Sequence, residues 1–351
     1  MEFASDNGSG VAPEIMAALF EASNGHASGY GNDEITKRVV ERLRQVFEAP
    51  MAAVYLVGTG TAANALACAT LTDPWGAIFC HRHAHIEADE CGAPEFFSGG
   101  AKLVLIDGDH GKIDRDAARA TISATGQMGV HGVQRGMLSL SNTTEAGTIY
   151  TADEVAQLAS IAKDFDLPVH MDGARFANAL LTSGASPADL TWRAGVDCLS
   201  FGGTKNGCMG VEAVIFFDPA KAQEFEFRRK RGGHLFSKHR YLAAQMEAYL
   251  ADDLWLTLAA KANARAAQLS AGIAALEMCH LTHPTQANEV FAHLPRGTHR
   301  ALHEAGAHYY LWPFDAPLDG DDTELLGARF VCSWSTTETE IQAFLSAAQP
   351  R

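Results

Sequence analysis

Apolar and polar positions along this chain follow two rhythms, and the rhythms trade places at short intervals. "AAVYLVG" (52–58), "GAIFC" (76–80), "AKLVLID" (101–107) and "RGMLSLSN" (135–142) are short apolar runs of strand length. "TAANALACATL" after the first of them reads as a helix of small residues. The clearest unit starts at Thr151, where Thr151-x-x-Glu154 forms a capping box and Val155, Leu158, Ile161 and Phe165 follow at helical spacing. "LPVHMDG" is then a strand, "ARFANALLTSG" a helix closed by Gly184, and "VDCLSFGG" the next strand. Such alternation predicts an α/β fold with a mostly parallel sheet joined by right-handed crossovers.

Farther on, "EAVIFFD" (212–218) is expected to run back along the sheet, and one long helical stretch is expected from Tyr241 to Leu276. From about 280 the pattern shortens to strands such as "EVFAHLP" and "ARFVCSW" and ends in a helix opened by Thr337-x-x-Glu340. The expected organisation is an N-terminal arm and large domain over 1–250, followed by a smaller α+β domain over 251–351.

Composition narrows the partners. With 351 residues, 47% of them apolar, there is ample material for a core. The 27 basic and 42 acidic residues leave a net charge of −15, and "FRRKRGG" around Arg228 to Arg231 is the one basic block, which argues against nucleic acid and acidic membranes. Seven scattered cysteines without a C-x-x-C pair suit reduced thiols, and no apolar run approaches the ~20 residues of a membrane span, so a cytoplasmic protein is expected.

Candidate chemistry gathers at strand ends. Asp172 closes an apolar strand, where open α/β sheets place ligand-contacting groups, and it suits a cationic ring nitrogen as well as it suits a helix cap. Lys205, in "SFGGTKNG", ends the next strand and serves as a nucleophile once partly buried, or as a solvated turn residue. A Walker A loop is excluded, because Thr204 precedes the lysine and Asn206 follows it. Gly58, Thr59 and Gly60 open a helix after a strand and fit one phosphate or an ordinary tight turn, while the third glycine of a dinucleotide fingerprint is missing. His81, His83 and His85 alternate as on one strand face, yet lack a metal-site spacing, so no metal is expected and a histidine laid over a cofactor ring is the more economical use. Arg175 and Arg329 are candidate readers of a carboxylate.

A phosphate cup, an acid for a ring nitrogen, a lysine for an aldehyde and an arginine for a carboxylate together make the set a pyridoxal 5′-phosphate enzyme requires. In "SDN", "SGYGND", "GTGTAAN", "HAHIEADE", "VHMDGARFANAL" and "SFGGTKNG" the chain resembles the low-specificity L-threonine aldolases, over almost its whole length. The resemblance implies fold type I, with a seven-stranded-type, mostly parallel sheet sandwiched by helices and a smaller C-terminal α+β domain. It implies Lys205 as the lysine that carries the cofactor, Asp172 as the pyridinium partner and His85 stacked on the ring. Gly58, Thr59 and Gly60 would cradle the phosphate, and Thr204 would offer it a hydroxyl. Arg175 would lie near ring and substrate, Ser5 and Arg329 would hold the substrate carboxylate, and Tyr30 would reach a neighbouring subunit's site in a homodimer or homotetramer. The chain departs from many relatives at Thr144, where they carry a second histidine near the substrate hydroxyl.

The expected reaction is retro-aldol cleavage of L-threonine or L-allo-threonine to glycine and an aldehyde, with His85, directly or through water, as base for the β-hydroxyl. The alternatives are a related lyase preferring aromatic β-hydroxy amino acids such as phenylserine, and a β-eliminating lyase. A nicotinamide dehydrogenase rests on "GTG" alone, and a non-catalytic binding protein leaves the set of Lys205, Asp172 and Arg329 unexplained.

Overall fold

The computed structural model describes residues 1–349. Seven strands form the main sheet: β1 (Ala53–Val57), β2 (Gly76–His81), β3 (Lys102–Ile106), β4 (Gln134–Ser141), β5 (Val169–Gly173), β6 (Cys198–Gly202) and β7 (Glu212–Phe216). Their order is β1-β7-β6-β5-β4-β2-β3, and β7 alone runs antiparallel to its neighbours. Strands β2, β5, β6 and β7 are buried along their whole length because helices cover both faces.

The side-chain period of two sorts the faces. Val169 and Met171 of β5, with Leu199 and Phe201 of β6, join the main core against the helices Glu34–Val46, Ala152–Lys163 and Phe176–Ser183. The opposite face of the sheet lies under the helix Gly60–Leu71, whose Ala62, Ala63, Leu66 and Ala67 let it approach Val57, Val214 and Phe216 closely. His170, Asp172 and Ser200 alternate with the residues of the main core and therefore face this helix of small residues. Expected caps form as the sequence specifies: both capping boxes, at Thr151 and Thr337, are closed in both directions, and Gly184 ends its helix in the left-handed region.

The stretch expected as one helix from Tyr241 to Leu276 is two, Arg240–Leu250 and Leu254–Ala274. Asp252 and Asp253 adopt φ of 48° and 52° between them, a left-handed conformation that aspartate tolerates and that no α-helix continues through.

A second sheet, in the order β10-β11-β9-β8, is built from β8 (His280–Leu281), β9 (Glu289–Pro295), β10 (Tyr310–Leu311) and β11 (Leu325–Val331). Its core includes Leu269 and Ile273 of the long helix, Phe330, Phe344 and, from the other end of the chain, Phe3. Phe3 is fully buried, meets Phe344 edge to face at 5.3 Å, and exchanges backbone hydrogen bonds with His308 and Val331. The N-terminal arm is thereby stapled across the small sheet. Phe3→Ala is expected to cost on the order of 3–5 kcal/mol, read as a lowered urea midpoint with an unchanged slope.

Candidate active site

The parallel pairing of β5 with β6 sets Asp172 opposite Ser200, and both strands end at one edge of the sheet. Asp172 is buried, its Oδ1 accepting from the Ala174 amide at 3.0 Å and its Oδ2 from Asn64 Nδ2 at 2.8 Å. Burial alone would raise its pKa, but the charges of His85 and Lys205 and the Ala174 N–H outweigh that and hold it below the ordinary carboxylate range. One turn of strand behind it, His170 bridges Ser139 and Ser200 at 3.0 and 2.9 Å, and burial depresses its pKa to about 4. A neutral, doubly bonded imidazole under Asp172 is a rigid floor.

Asn64 is the joint of the site. The same Nδ2 that serves Asp172 also donates to Glu90 Oε1 at 2.8 Å, and Glu90 lies 2.9 Å from His85 Nδ1. Burial would lower the pKa of His85, but the Glu90 hydrogen bond and the charge of Asp172 raise it on balance. The expectation that His81, His83 and His85 share a strand face is corrected here: β2 ends at His81, and His85 opens the short helix His85–Ala88. His81 instead lies 3.1 Å from the Gly108 carbonyl, outside the cluster. His85, Glu90 and Asp172 do bring ligand-type atoms within 4.8 Å of one another, joined by the Asn64 and His85 contacts.

Lys205 lies in the one-turn 3₁₀ segment Thr204–Asn206 directly after β6. The chain can turn there because Gly202 has no Cβ to overlap the Ala174 carbonyl and Gly207 takes a φ of 102°. Glu212, across on β7, accepts from the Gly203 amide at 2.7 Å, while Asn206 donates to Tyr249 Oη and to the Trp255 carbonyl, both at 2.8 Å. The turn is pinned on both sides. Lys205 itself is half-buried and forms no hydrogen bond or ion pair among the described residues, although its charge acts on Asp6, Glu145, Asp172 and Glu212.

At the start of the Gly60–Leu71 helix, Thr59 caps with its hydroxyl on the Ala62 amide, Gly58 donates to His234 Nδ1 at 3.3 Å, and a Cβ on Gly60 would meet nothing. At Gly60 the helix N-terminus and its partial positive charge are uncovered, while Gly58 lies against Phe236 and His234. The Thr204 hydroxyl accepts from the Val211 amide at 3.1 Å.

Arg175 is buried between two carboxylates that the sequence did not flag. Its Nε and Nη2 donate to Asp6 at 2.7 and 3.1 Å, and its Nη1 lies 3.2 Å from Glu289. Glu289 Oε1 also lies 3.3 Å from Arg329 Nε, and the Arg329 guanidinium sits 5.7 Å above Trp312, its outer nitrogens without a hydrogen-bond partner among the described residues. Ser5 is drawn in beside Asp6 and caps the Asp6–Gly8 turn, which packs on the Lys205 turn. Tyr30 lies apart from these groups, half exposed, with Lys230 Nζ 4.6 Å over its ring. Glu90, Asn64 and Asp6 could have been found in the sequence from "HAHIEADE", "GTGTAAN" and "SDN"; Glu289 carried no signal but its charge.

The residues fit a pyridoxal phosphate. A buried carboxylate held ionised for a ring nitrogen, an unpaired lysine across from it and an open helix N-terminus form one cradle.

The family model described as beta-eliminating lyase matches residues 2–295. A low specificity L-threonine aldolase of Pseudomonas aeruginosa is 42% identical over 335 residues, 95% of this chain and 93% of that protein. Another, from a Pseudomonas species, is 39% identical and covers 97% of this chain and 95% of its own. The solved structure of Leishmania major threonine aldolase superposes with a TM-score of 0.90 at 29% identity, over 99% of this chain and 98% of that one.

Glu212 gives the site a measurable pH signature. Burial raises its pKa from 4.5 to about 7 against the hydrogen bonds of Thr204 and Gly203 and the charge of Lys205. The folded protein therefore holds this proton more tightly than the unfolded chain, so the associated stability is complete below about pH 4.5 and is lost as pH rises through about 7. Relative to Glu212→Gln, which keeps an acceptor for Gly203, the cofactor-free protein is expected to lose about 2–3 kcal/mol between pH 5 and pH 8, measured by denaturant titration at both values.

Proposed function

The chain belongs to the beta-eliminating lyase family and groups with its low-specificity L-threonine aldolases, and from that premise we propose that it cleaves L-threonine and L-allo-threonine to glycine and acetaldehyde. The observation that carries the reading is Lys205 and Asp172 on adjacent strand ends, the one unpaired and the other held ionised by Asn64 and its neighbours. Pyridoxal 5′-phosphate, when bound, supplies the electron sink that lets a bond at Cα break. Lys205 would bind its aldehyde carbon and yield that position to the substrate amine. Asp172 would keep a proton on the ring nitrogen, since an ionised carboxylate in a buried site stabilises the facing cation. Gly58, Thr59 and Gly60 at the helix N-terminus, with Thr204, would take the phosphate.

His85 would cover the ring, its Nδ1 tethered to Glu90 and its other nitrogen turned toward the proton path of the reaction. Arg329 would grip the substrate carboxylate with the nitrogens that Glu289 leaves free, helped by Ser5, and so set the Cα–Cβ bond across the ring plane. Arg175, clamped by Asp6 and Glu289, would present its remaining N–H groups to ring and substrate. Tyr30 would complete the site of a neighbouring subunit in a homodimer or homotetramer; its half-exposed ring and the exposed Phe96 and Phe227 suit such contacts. Among the described residues no helix is long and apolar enough to cross a membrane.

A preference for aromatic substrates such as phenylserine has its own support, a cavity of about 360 Å³ that includes Phe291 and Trp312 in its wall. Supplying L-threonine, L-allo-threonine and L-phenylserine separately, with glycine and the matching aldehyde measured, decides between these substrates; ammonia and a keto acid in place of glycine would mean β-elimination instead. Borohydride is expected to fix the cofactor on Lys205, located by peptide mass spectrometry, and an undiminished adduct in Lys205→Ala would refute that assignment. His85→Asn is expected to lose most of kcat, and near-normal turnover would remove His85 from the proton path.

A further inference from the structure

His85 is expected to serve the β-hydroxyl directly or through water, but its Nδ1 is held by Glu90, and a second group able to meet that hydroxyl directly is open to assignment. Thr144, at the position where many relatives carry histidine, is buried, and its hydroxyl is spent on the His110 carbonyl at 3.2 Å and the Thr148 hydroxyl at 2.8 Å. It is turned into the loop that holds it. The next residue, Glu145, behaves in the opposite way. It is half-buried, lines the 360 Å³ cavity with His83, His110, His283, Phe291 and Trp312, and forms no hydrogen bond or ion pair among the described residues.

The other carboxylates of the site are all engaged: Asp6 and Glu289 with arginine, Asp172 with Asn64, Glu90 with His85 and Glu212 with the Gly203 amide. The loop that carries Glu145 leaves β4 at Ser141, which pairs with Asp172 of β5, and the Asn142 amide donates to the Asp172 carbonyl at 2.8 Å, so Glu145 joins the cavity to the reaction centre, where the charges of Lys205, His85 and Arg175 act on it. The turn that places it is held by the Gly147 amide on the Thr144 carbonyl, and Gly147 has the φ of 71° that the turn needs.

We propose that Glu145 is the catalytic residue that touches the β-hydroxyl, receives its proton and sets the preference between the threo and erythro substrates. The proposal rests on the retro-aldol reading. In the step, the hydroxyl proton passes to the Glu145 carboxylate and the O–H electron pair becomes the second bond of the aldehyde carbonyl. The Cα–Cβ bond breaks and its pair is left at the α-carbon, where pyridoxal phosphate would supply the electron sink, and a proton delivered to that carbon gives glycine. A single fixed acceptor on one wall of the cavity reaches the hydroxyl of one Cβ configuration better than that of the other. Burial and Glu289 push the Glu145 carboxyl upward while Lys205, His85 and Arg175 draw it back, a net rise that brings an acid toward the range of an effective base near neutrality.

The holoenzyme with Glu145→Gln tests this, with Glu145→Asp as the conservative variant. Each is assayed for cleavage of both threonine diastereomers and for exchange of the glycine α-proton in D₂O, a reaction with no β-hydroxyl. The expected result for Glu145→Gln is a fall in kcat for cleavage of about 100-fold or more, a diastereomer ratio moved toward one, and glycine exchange and cofactor absorbance within about twofold of wild type. Glu145→Asp should recover part of the cleavage. Cleavage of both diastereomers within about threefold of wild type at an unchanged ratio overturns the proposal, as does equal loss of exchange and cleavage. A wild-type protein that exchanges glycine but releases no glycine from either threonine defeats the retro-aldol reading itself, a result separable from any behaviour of the variants.

Discussion

The clamp of Asp6, Arg175 and Glu289 is the interaction on which the site depends. It joins three parts of the chain that are distant in sequence: the N-terminal arm, the turn after β5 and the first residue of β9. All three side chains are almost fully buried. Removing charges from water costs several kcal/mol per ion, so such a cluster contributes little net stability, whereas deleting one member strands the others. Its value is positional. Through Glu289 the clamp also meets Arg329, so the small sheet is registered against the large one at the point where a substrate carboxylate would lie.

Around that clamp the site divides into a rigid side and a free side. On the rigid side Asn64 ties Asp172 to Glu90 and through it to His85, and His170 is locked between two serines beneath them. On the free side stand Lys205, the outer nitrogens of Arg329 and the Glu145 carboxyl. Binding energy is best used when the groups that hold a cofactor are already organised and those that meet it are unpaired, because nothing then has to be broken on entry.

The sheet was legible in the sequence because its strands are short apolar runs separated by capped helices, and local rules decide such elements. The positions of Asp172 and Lys205 were legible for the same reason: Asp172 lies near the end of β5 and Lys205 just after β6, and the βαβ pattern alone makes those strand ends neighbours. Asp252 and Asp253 were not, since helical propensity is averaged over a window and two left-handed residues break a helix without changing its composition much. The three alternating histidines misled because the end of a strand is set by its partners and not by its own pattern; β2 stops at His81, where its pairing with β3 ends at Ile106. Glu289 gave no sign, and Asp6 only its place in "SDN", for their use depends on an arginine more than a hundred residues away from each.

The arm that carries Ser5 and Asp6 has a further consequence, one of timing. Phe3 is buried among Phe330, Phe344 and Leu269, and its carbonyl accepts from the amide of Val331. The residues around Phe3 therefore have no place to settle until those around Val331 have been made, roughly 15 to 70 seconds later at ordinary rates of synthesis. Until then Arg175 waits in the large sheet without either of its carboxylates. The main sheet is free to assemble as it emerges, but the pocket is finished only when these two segments, more than three hundred residues apart, meet.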